Sequence, residues 1–95
     1  LKLRSPRAED GRPVFEAVRS WGGLDLNSAY AYLLLCDRFG AQSVLAEQDG
    51  QLVGFVLGIQ FPENPDTLFV WQVGVAPELR GHGLATRMVD ATLAS

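Results

Sequence analysis

Leu68-Phe69-Val70-Trp71-Gln72-Val73-Gly74-Val75-Ala76, then Pro77-Glu78-Leu79, then Arg80-Gly81-His82-Gly83-Leu84-Ala85: this stretch decides the fold. Its first part reads as a strand, and the run after the glycines places Leu84/Ala85, Met88/Val89 and Leu93 on one face of a 3.6-residue repeat. A strand that feeds a glycine-rich turn and a helix start is suited to anions. The first turn of a helix has unpaired backbone N–H groups, and its dipole favours negative charge. Gly81 and Gly83 lack Cβ, so the backbone bends tightly and comes close to a phosphate. Arg80 adds a planar charged donor at the mouth. A phosphate-bearing ligand is expected here; the alternative is an ordinary strand-to-helix turn with glycines for geometry.

Two familiar phosphate loops do not fit. A dinucleotide fingerprint needs a third small residue where Thr86 stands, and its strand runs directly into the first glycine, whereas Pro77-Glu78-Leu79-Arg80 intervenes here. A Walker A loop needs a Lys-Ser/Thr pair that is absent. The unit does resemble the acyl-CoA loop of the GNAT-type N-acetyltransferases, Arg/Gln-x-x-Gly-x-Gly/Ala, with Arg80, Gly83 and Ala85 in its defined places. The resemblance implies acetyl-CoA as co-substrate and no metal. It implies phosphate contacts from Arg80, Gly81, His82, Gly83, Leu84 and Ala85, and carbonyl and pantetheine contacts from the backbone of Val73, Gly74 and Val75. Gly74 would either ease a bulge that frees those donors or make room for a neighbouring side chain.

Working outward, the chain begins with an alternating strand, Leu1-Lys2-Leu3-Arg4, stopped by Ser5-Pro6. Glu9-Asp10 and Pro13 suit a helix start, Val14, Ala17, Val18 and Trp21 form its inward stripe, and Gly22-Gly23 ends it. Asn27 or Ser28 would cap a second helix from Ala29 that is apolar almost all round, hence buried or roofing a cleft, with Gly40 as its stop. Strands at 43–48 and 51–59 flank Asp49-Gly50, which supplies the positive φ angles of a tight hairpin turn. The second is apolar on both faces and should be central; Gly54 and Gly58 mark a close approach or a bulge, or are plain packing. The order is β-α-α-β-β-β-α, a mixed α/β sheet with helices packed on it.

The whole chain, residues 1–95, reads as one GNAT domain up to the helix after its fourth strand, apparently without the family's C-terminal strands and helix. Its last helix runs to Ser95 with no stop signal, and the strand from Leu68 would be left with an open edge. The 95 residues alone are therefore expected to self-associate and to turn over little.

Composition narrows the partners. A hydrophobic share of 47% is that of a globular chain, and a net charge of −3 without a basic stripe argues against nucleic acid. Cys36 is the single cysteine, which excludes an internal disulfide and suits a reducing compartment. The apolar run from Leu26 to Cys36 is too short for a bilayer, which needs ~20 residues, and the N-terminal residues lack a signal-peptide core. A cytoplasmic protein with no membrane partner is expected.

Within the GNAT group, Leu24-Asp25-Leu26-Asn27-Ser28-Ala29-Tyr30-Ala31-Tyr32-Leu33-Leu34-Leu35-Cys36 and Phe69-Val70-Trp71-Gln72-Val73 look like the L-2,4-diaminobutyrate acetyltransferases of ectoine synthesis. That similarity implies a small diamine substrate, acetylation of its 4-amino group and a homodimer. Asp25 would pair with a substrate ammonium, and Trp71, sharing a strand face with Phe69, Val73 and Val75, would offer it a π face. Tyr30 joins them as a substrate contact; the alternative is a cap for Asp25 and core packing for the two aromatics. His82, the sole histidine, occupies an unrestricted place in the loop, where a backbone contact to phosphate is expected and not base catalysis. The catalytic acid and base are unassigned, since the tyrosine that many family members use to protonate the thiolate lies further along the fold. The competing function is a non-catalytic acyl-CoA-binding or dimerisation module, or acetylation of another small amine.

Overall fold

The computed structural model describes residues 1–94, so Ser95, expected above as the end of the last helix, lies outside the described residues. The elements are β1 (Lys2–Arg4), α1 (Gly11–Trp21), α2 (Ala29–Arg38), β2 (Val44–Gln48), β3 (Gln51–Ile59), β4 (Phe69–Val75) and α3 (Leu84–Ala94), with single 3-10 turns at Ala8–Asp10, Gly40–Gln42 and Pro77–Leu79. The expected order is met. The strands form one sheet in the order β1-β2-β3-β4, each pair antiparallel. Asp49 and Gly50 adopt φ of 54° and 77°, the twist that a tight hairpin between β2 and β3 demands.

Helices cover both faces. The α1–α2 layer packs Val14, Val18, Tyr32, Leu35 and Cys36 onto Leu45, Phe55 and Leu57. On the other face α3 sets Leu84 and Met88 against Val44, Ala46, Val53 and Val56. Buried on both sides from Val53 to Gly58, β3 is the central strand its apolar sequence predicts. Trp21 stacks on Phe55 at 6.0 Å and 20°, which fixes the C-terminal end of α1 over the middle of the sheet. At the sheet's start, Arg4 pairs with Asp10 and Glu47 and ties β1 to the first turn and β2; this guanidinium holds the Asp10 carboxyl below the usual carboxylate range.

Four local expectations need refinement. The Ser28 hydroxyl oxygen caps α2 by accepting from the Ala31 N–H at 3.2 Å, but the helix buries one face only. Tyr32, Leu35 and Cys36 point inward, whereas Tyr30, Leu33 and Leu34 are exposed. Gly40 is not the helix stop: α2 ends at Arg38, and Gly40 opens the next turn without a positive φ. A Cβ there would meet the Pro6 carbonyl oxygen at 2.7 Å, so close approach of β1's exit selects glycine. Gly58 is likewise a close approach, with a Cβ 2.4 Å from the Gln42 carbonyl oxygen.

The third and fourth refinements lie in β4. Leu57 pairs with Gln72 and Gly58 with Val70, so Trp71 is an extra residue bulged out of the ladder. Beyond the bulge the alternation resumes in the opposite phase. Trp71 thus packs with the α1–α2 layer, while Val73 and Val75 face α3, and the expected common face is overturned. Gly74 stands in regular register opposite Phe55 and not in a bulge. Its hydrogen faces the Phe55 ring, where a Cβ would lie 2.3 Å from Cε2. Gly74→Ala is therefore expected to destabilise the fold by about 1–3 kcal/mol through overpacking, read as a lower denaturant midpoint at unchanged slope. A midpoint equal to that of the parent would show that Phe55 moves aside freely.

Candidate functional site: the open edge of β4

Among the described residues β4 pairs only with β3, so its other edge is free of strand partners. The segment from Gly22 to Ser28, without helix or strand, runs beside that edge. Between them lie two hollows. One, of about 340 Å³, is walled by Gly22, Gly23 and Leu24 on one side and by Val73, Gly74 and Val75 on the other, with Arg80 and Ala85 at its end. The second, of about 390 Å³, continues past Leu24 to Asp25 and is walled by Val70, Trp71, Gln72 and Val73. Gly23, Leu24 and Val73 border both, which makes one continuous cleft along the strand edge.

At the Arg80 end sits the glycine loop. Gly81 and Gly83 have φ of 84° and 78°, and a Cβ on either would have nothing within 4 Å. Backbone conformation, and not crowding, selects glycine at these two places, since L side chains disfavour positive φ. The Gly83 carbonyl accepts from the Arg87 N–H at 3.1 Å and so begins α3. In the first turn of that helix, the N–H groups of Leu84, Ala85 and Thr86 have no intrahelical acceptor by geometry, and they gather at the loop with the positive end of the helix dipole. That is an oxyanion-binding arrangement of the backbone. His82 is exposed, with Nδ1 at 3.1 Å from the Arg80 carbonyl oxygen and 3.2 Å from that of Leu79. Two carbonyl acceptors at these distances place the ring proton on Nδ1, and the ring braces the loop.

Arg80 is turned away from the loop's mouth. Its Nε donates to the Val75 carbonyl at 3.1 Å, and its Nη2 donates to the Trp21 carbonyl at 3.1 Å and the Gly22 carbonyl at 3.4 Å. The fork of the guanidinium satisfies carbonyls that α1 leaves unpaired at its C-terminus, where a cation also meets the negative dipole end. It therefore joins α1, β4 and the loop.

At the other end the cleft reaches Asp25 and Trp71, both placed in its wall. Tyr30 is not with them: 68% exposed, it borders a separate hollow with Glu9, Arg12 and Leu33. Instead Tyr32 turns inward. Its ring meets Trp71 edge-on at 6.0 Å and 70°, and its hydroxyl donates to Gln72 Oε1 at 3.1 Å while accepting from the Asn27 N–H at 3.3 Å. Gln72 Nε2 in turn donates to the Asp25 carbonyl at 2.9 Å. Sequence reading missed both residues. Helical spacing does not pick the inward tyrosine, because Tyr30 with Leu33 and Leu34 repeats the spacing of Tyr32 with Leu35 and Cys36, whereas Gln72 is the one polar residue in an apolar strand.

Other groups are unsuited to chemistry here. Cys36 is buried on the inner face of α2, and loss of hydration pushes its thiol up to about 12, far from thiolate formation at neutral pH. Among the described residues no group of three His, Cys, Asp or Glu is placed to hold a metal, and no helix is long and apolar enough to cross a membrane. A hollow of about 480 Å³ between Gln42, Gln60, Pro65 and Asp66 lies apart from the loop and the cleft.

A glycine loop and a helix start beside an open strand edge form one contiguous site. Residues 11–94 match the Acetyltransferase (GNAT) family, and the chain belongs to that family. It is 51% identical over 89 residues to the L-2,4-diaminobutyric acid acetyltransferase of Oceanobacillus iheyensis, covering 92% of this chain and 50% of that protein. To the same enzyme of Halomonas elongata it is 46% identical over 94 residues, 98% of this chain and 49% of that protein. Among solved structures, diaminobutyrate acetyltransferase EctA from Paenibacillus lautus, in complex with L-2,4-diaminobutyric acid and coenzyme A, superposes with a TM-score of 0.91 at 46% identity, covering 97% of this chain and 55% of that one. The loading GNATL domain of CurA from Lyngbya majuscula, at 17% identity and a TM-score of 0.81, shares the fold. The chain thus spans about half the length of the curated relatives it matches.

Proposed function

We propose that this chain supplies the acetyl-CoA loop and one wall of the amine site of an L-2,4-diaminobutyrate N-acetyltransferase. The single observation that carries this reading is the continuity of the cleft: it starts at the glycine loop and ends at Asp25 and Trp71. Carrier and amine would thereby meet along β4. The diaminobutyrate acetyltransferases that match nearly the whole chain support the choice of amine, as does the Paenibacillus lautus protein bound to that amine and coenzyme A.

Acetyl-CoA, the co-substrate, presents a thioester reactive enough for direct attack by a neutral amine, so alignment is the main task. The N–H groups at the start of α3 hold pyrophosphate, with Gly81, His82, Gly83, Leu84 and Ala85 forming the cradle. Val73, Gly74 and Val75 line the pantetheine path and offer strand-edge donors to the thioester oxygen. Arg80 acts from behind by fixing the loop to α1. The Asp25 carboxylate pairs with one substrate ammonium, and the exposed part of Trp71 supplies an apolar wall and a π face. As the amine nitrogen bonds to the acetyl carbon, the carbon–sulfur bond breaks, the nitrogen loses a proton and the CoA thiolate gains one. Tyr30 stands outside this constellation. A cytoplasmic setting and a homodimer accompany the reading, the former supported by the lone buried thiol.

The test is turnover of the full-length protein with acetyl-CoA and L-2,4-diaminobutyrate, following thiol release and locating the acetyl group by mass spectrometry. Stoichiometric thiol release with acetylation at the 4-amino nitrogen is the expected result. Tight CoA binding with no acetylation of this or any related diamine would return the chain to a binding module.

A further inference from the structure

Gly22 to Asp25 form one wall of the cleft, in a segment running to Ser28 that contains no helix or strand of its own. Backbone groups in such a segment require partners from elsewhere. Near its α1 end, Arg80 supplies them at Trp21 and Gly22. Near its α2 end, Gln72 supplies one at the Asp25 carbonyl and Tyr32 another at the Asn27 N–H, with Gln72 and Tyr32 bonded to each other. The Asp25 carbonyl also lies 3.5 Å from the Tyr32 hydroxyl, whose single proton goes to the nearer Gln72 Oε1. The amide nitrogen of Gln72 donates, its oxygen accepts, and the tyrosine hydroxyl donates once and accepts once. Tyr32 is fully buried and held by the Trp71 ring edge, so this bridge stands on a rigid base.

We infer that Gln72 is a positioning residue for amine specificity: resting on the proposed reading of the cleft, it acts through the Asp25 backbone to aim the Asp25 carboxylate at the substrate ammonium. The Asp25 side chain is exposed, and no hydrogen bond or ion pair is found on its carboxylate among the described residues, so its placement follows from its backbone, which Gln72 holds at 2.9 Å with the Tyr32 hydroxyl 3.5 Å away. A charge pair draws its strength from fixed distance and orientation, and a hydrogen bond at the backbone fixes the Cα from which the carboxylate projects. Gln72 lines the same cleft, and its amide is engaged by the Tyr32 hydroxyl and the Asp25 carbonyl.

The experiment is a double-mutant cycle on the full-length protein with Gln72→Met, which keeps the length of the side chain and removes the amide, and Asp25→Asn. Gln72→Met is expected to raise KM for diaminobutyrate about three- to tenfold, the loss of roughly one neutral hydrogen bond, while leaving kcat and the Kd of CoA within about twofold. In the Asp25→Asn background the same change should have little further effect, because the group being aimed is gone. Effects that multiply independently, or a Gln72→Met variant with unchanged amine KM, overturn the inference while the reading of Asp25 stands. An Asp25→Asn variant with unchanged amine KM overturns both. If Gln72→Met does not fold, Tyr32→Phe replaces it in the cycle, since it removes the hydroxyl that orients the Gln72 amide.

Discussion

Gly83→Glu is expected to abolish CoA binding while leaving the fold standing. The position has a φ of 78°, and a Cβ there would find open space within 4 Å. The side chain therefore meets no wall of the protein and strains only the backbone, at a cost of roughly 1–2 kcal/mol. The ligand is affected far more. A carboxylate at the start of α3 occupies the ground that pyrophosphate needs, repels it, and competes for the first-turn N–H groups. Losing two charge-assisted hydrogen bonds at about 1.5–3 kcal/mol each corresponds to at least a hundredfold weaker binding. Calorimetric titration of CoA into the variant, with circular dichroism on the same sample, separates the two effects. A folded variant that keeps its CoA affinity would remove the loop from the acyl-CoA site.

Asp25→Asn should act on the other substrate. The two side chains are nearly isosteric, so the variant keeps its shape and its carbonyl bond to Gln72 and loses only the charge. The amine KM is expected to rise about ten- to a hundredfold, the worth of a charge-assisted bond, with CoA affinity unchanged. Trp71→Leu should move the same parameter in the same direction. Steady-state kinetics with each substrate varied in turn gives the answer, and an unaltered amine KM in both variants would leave Asp25 as a solvated loop charge and Trp71 as core.

Much of this arrangement is legible in the residues. Strand, glycines and helix start stand in one contiguous run, so local rules of period and capping are enough to place the loop and α3. Asp49-Gly50 and the apolar run of β3 are equally local. What escapes is whatever depends on contacts distant in sequence. Arg80 has the chemistry of a phosphate ligand, yet carbonyls at Trp21 and Gly22, far upstream, take its donors. Gly40 has the look of a helix stop, and only the approach of Pro6 shows its purpose. Gly74 admits a bulge or a neighbour's bulk, and the Phe55 ring decides between them. Tyr30 and Tyr32 differ by two positions on a nearly uniform apolar helix, where composition gives no inward direction. Strict alternation puts Trp71 on the face of Val73 and Val75, and one inserted residue defeats it.

That inserted residue has a consequence for how such a strand can change. From Gly54 to Ile59 on β3, each residue has an opposite number on β4, except that Trp71 has none. In a ladder, every side chain is judged by its cross-strand neighbour, so a new residue must suit two chains at once. Position 71 is exempt from that joint approval. A mutation there alters the wall of the cleft while the pairs on either side, Leu57 with Gln72 and Gly58 with Val70, continue to set the registration. The sheet thus holds one residue outside its pairing, still packed on Tyr32, whose replacement leaves the cross-strand pairs in place.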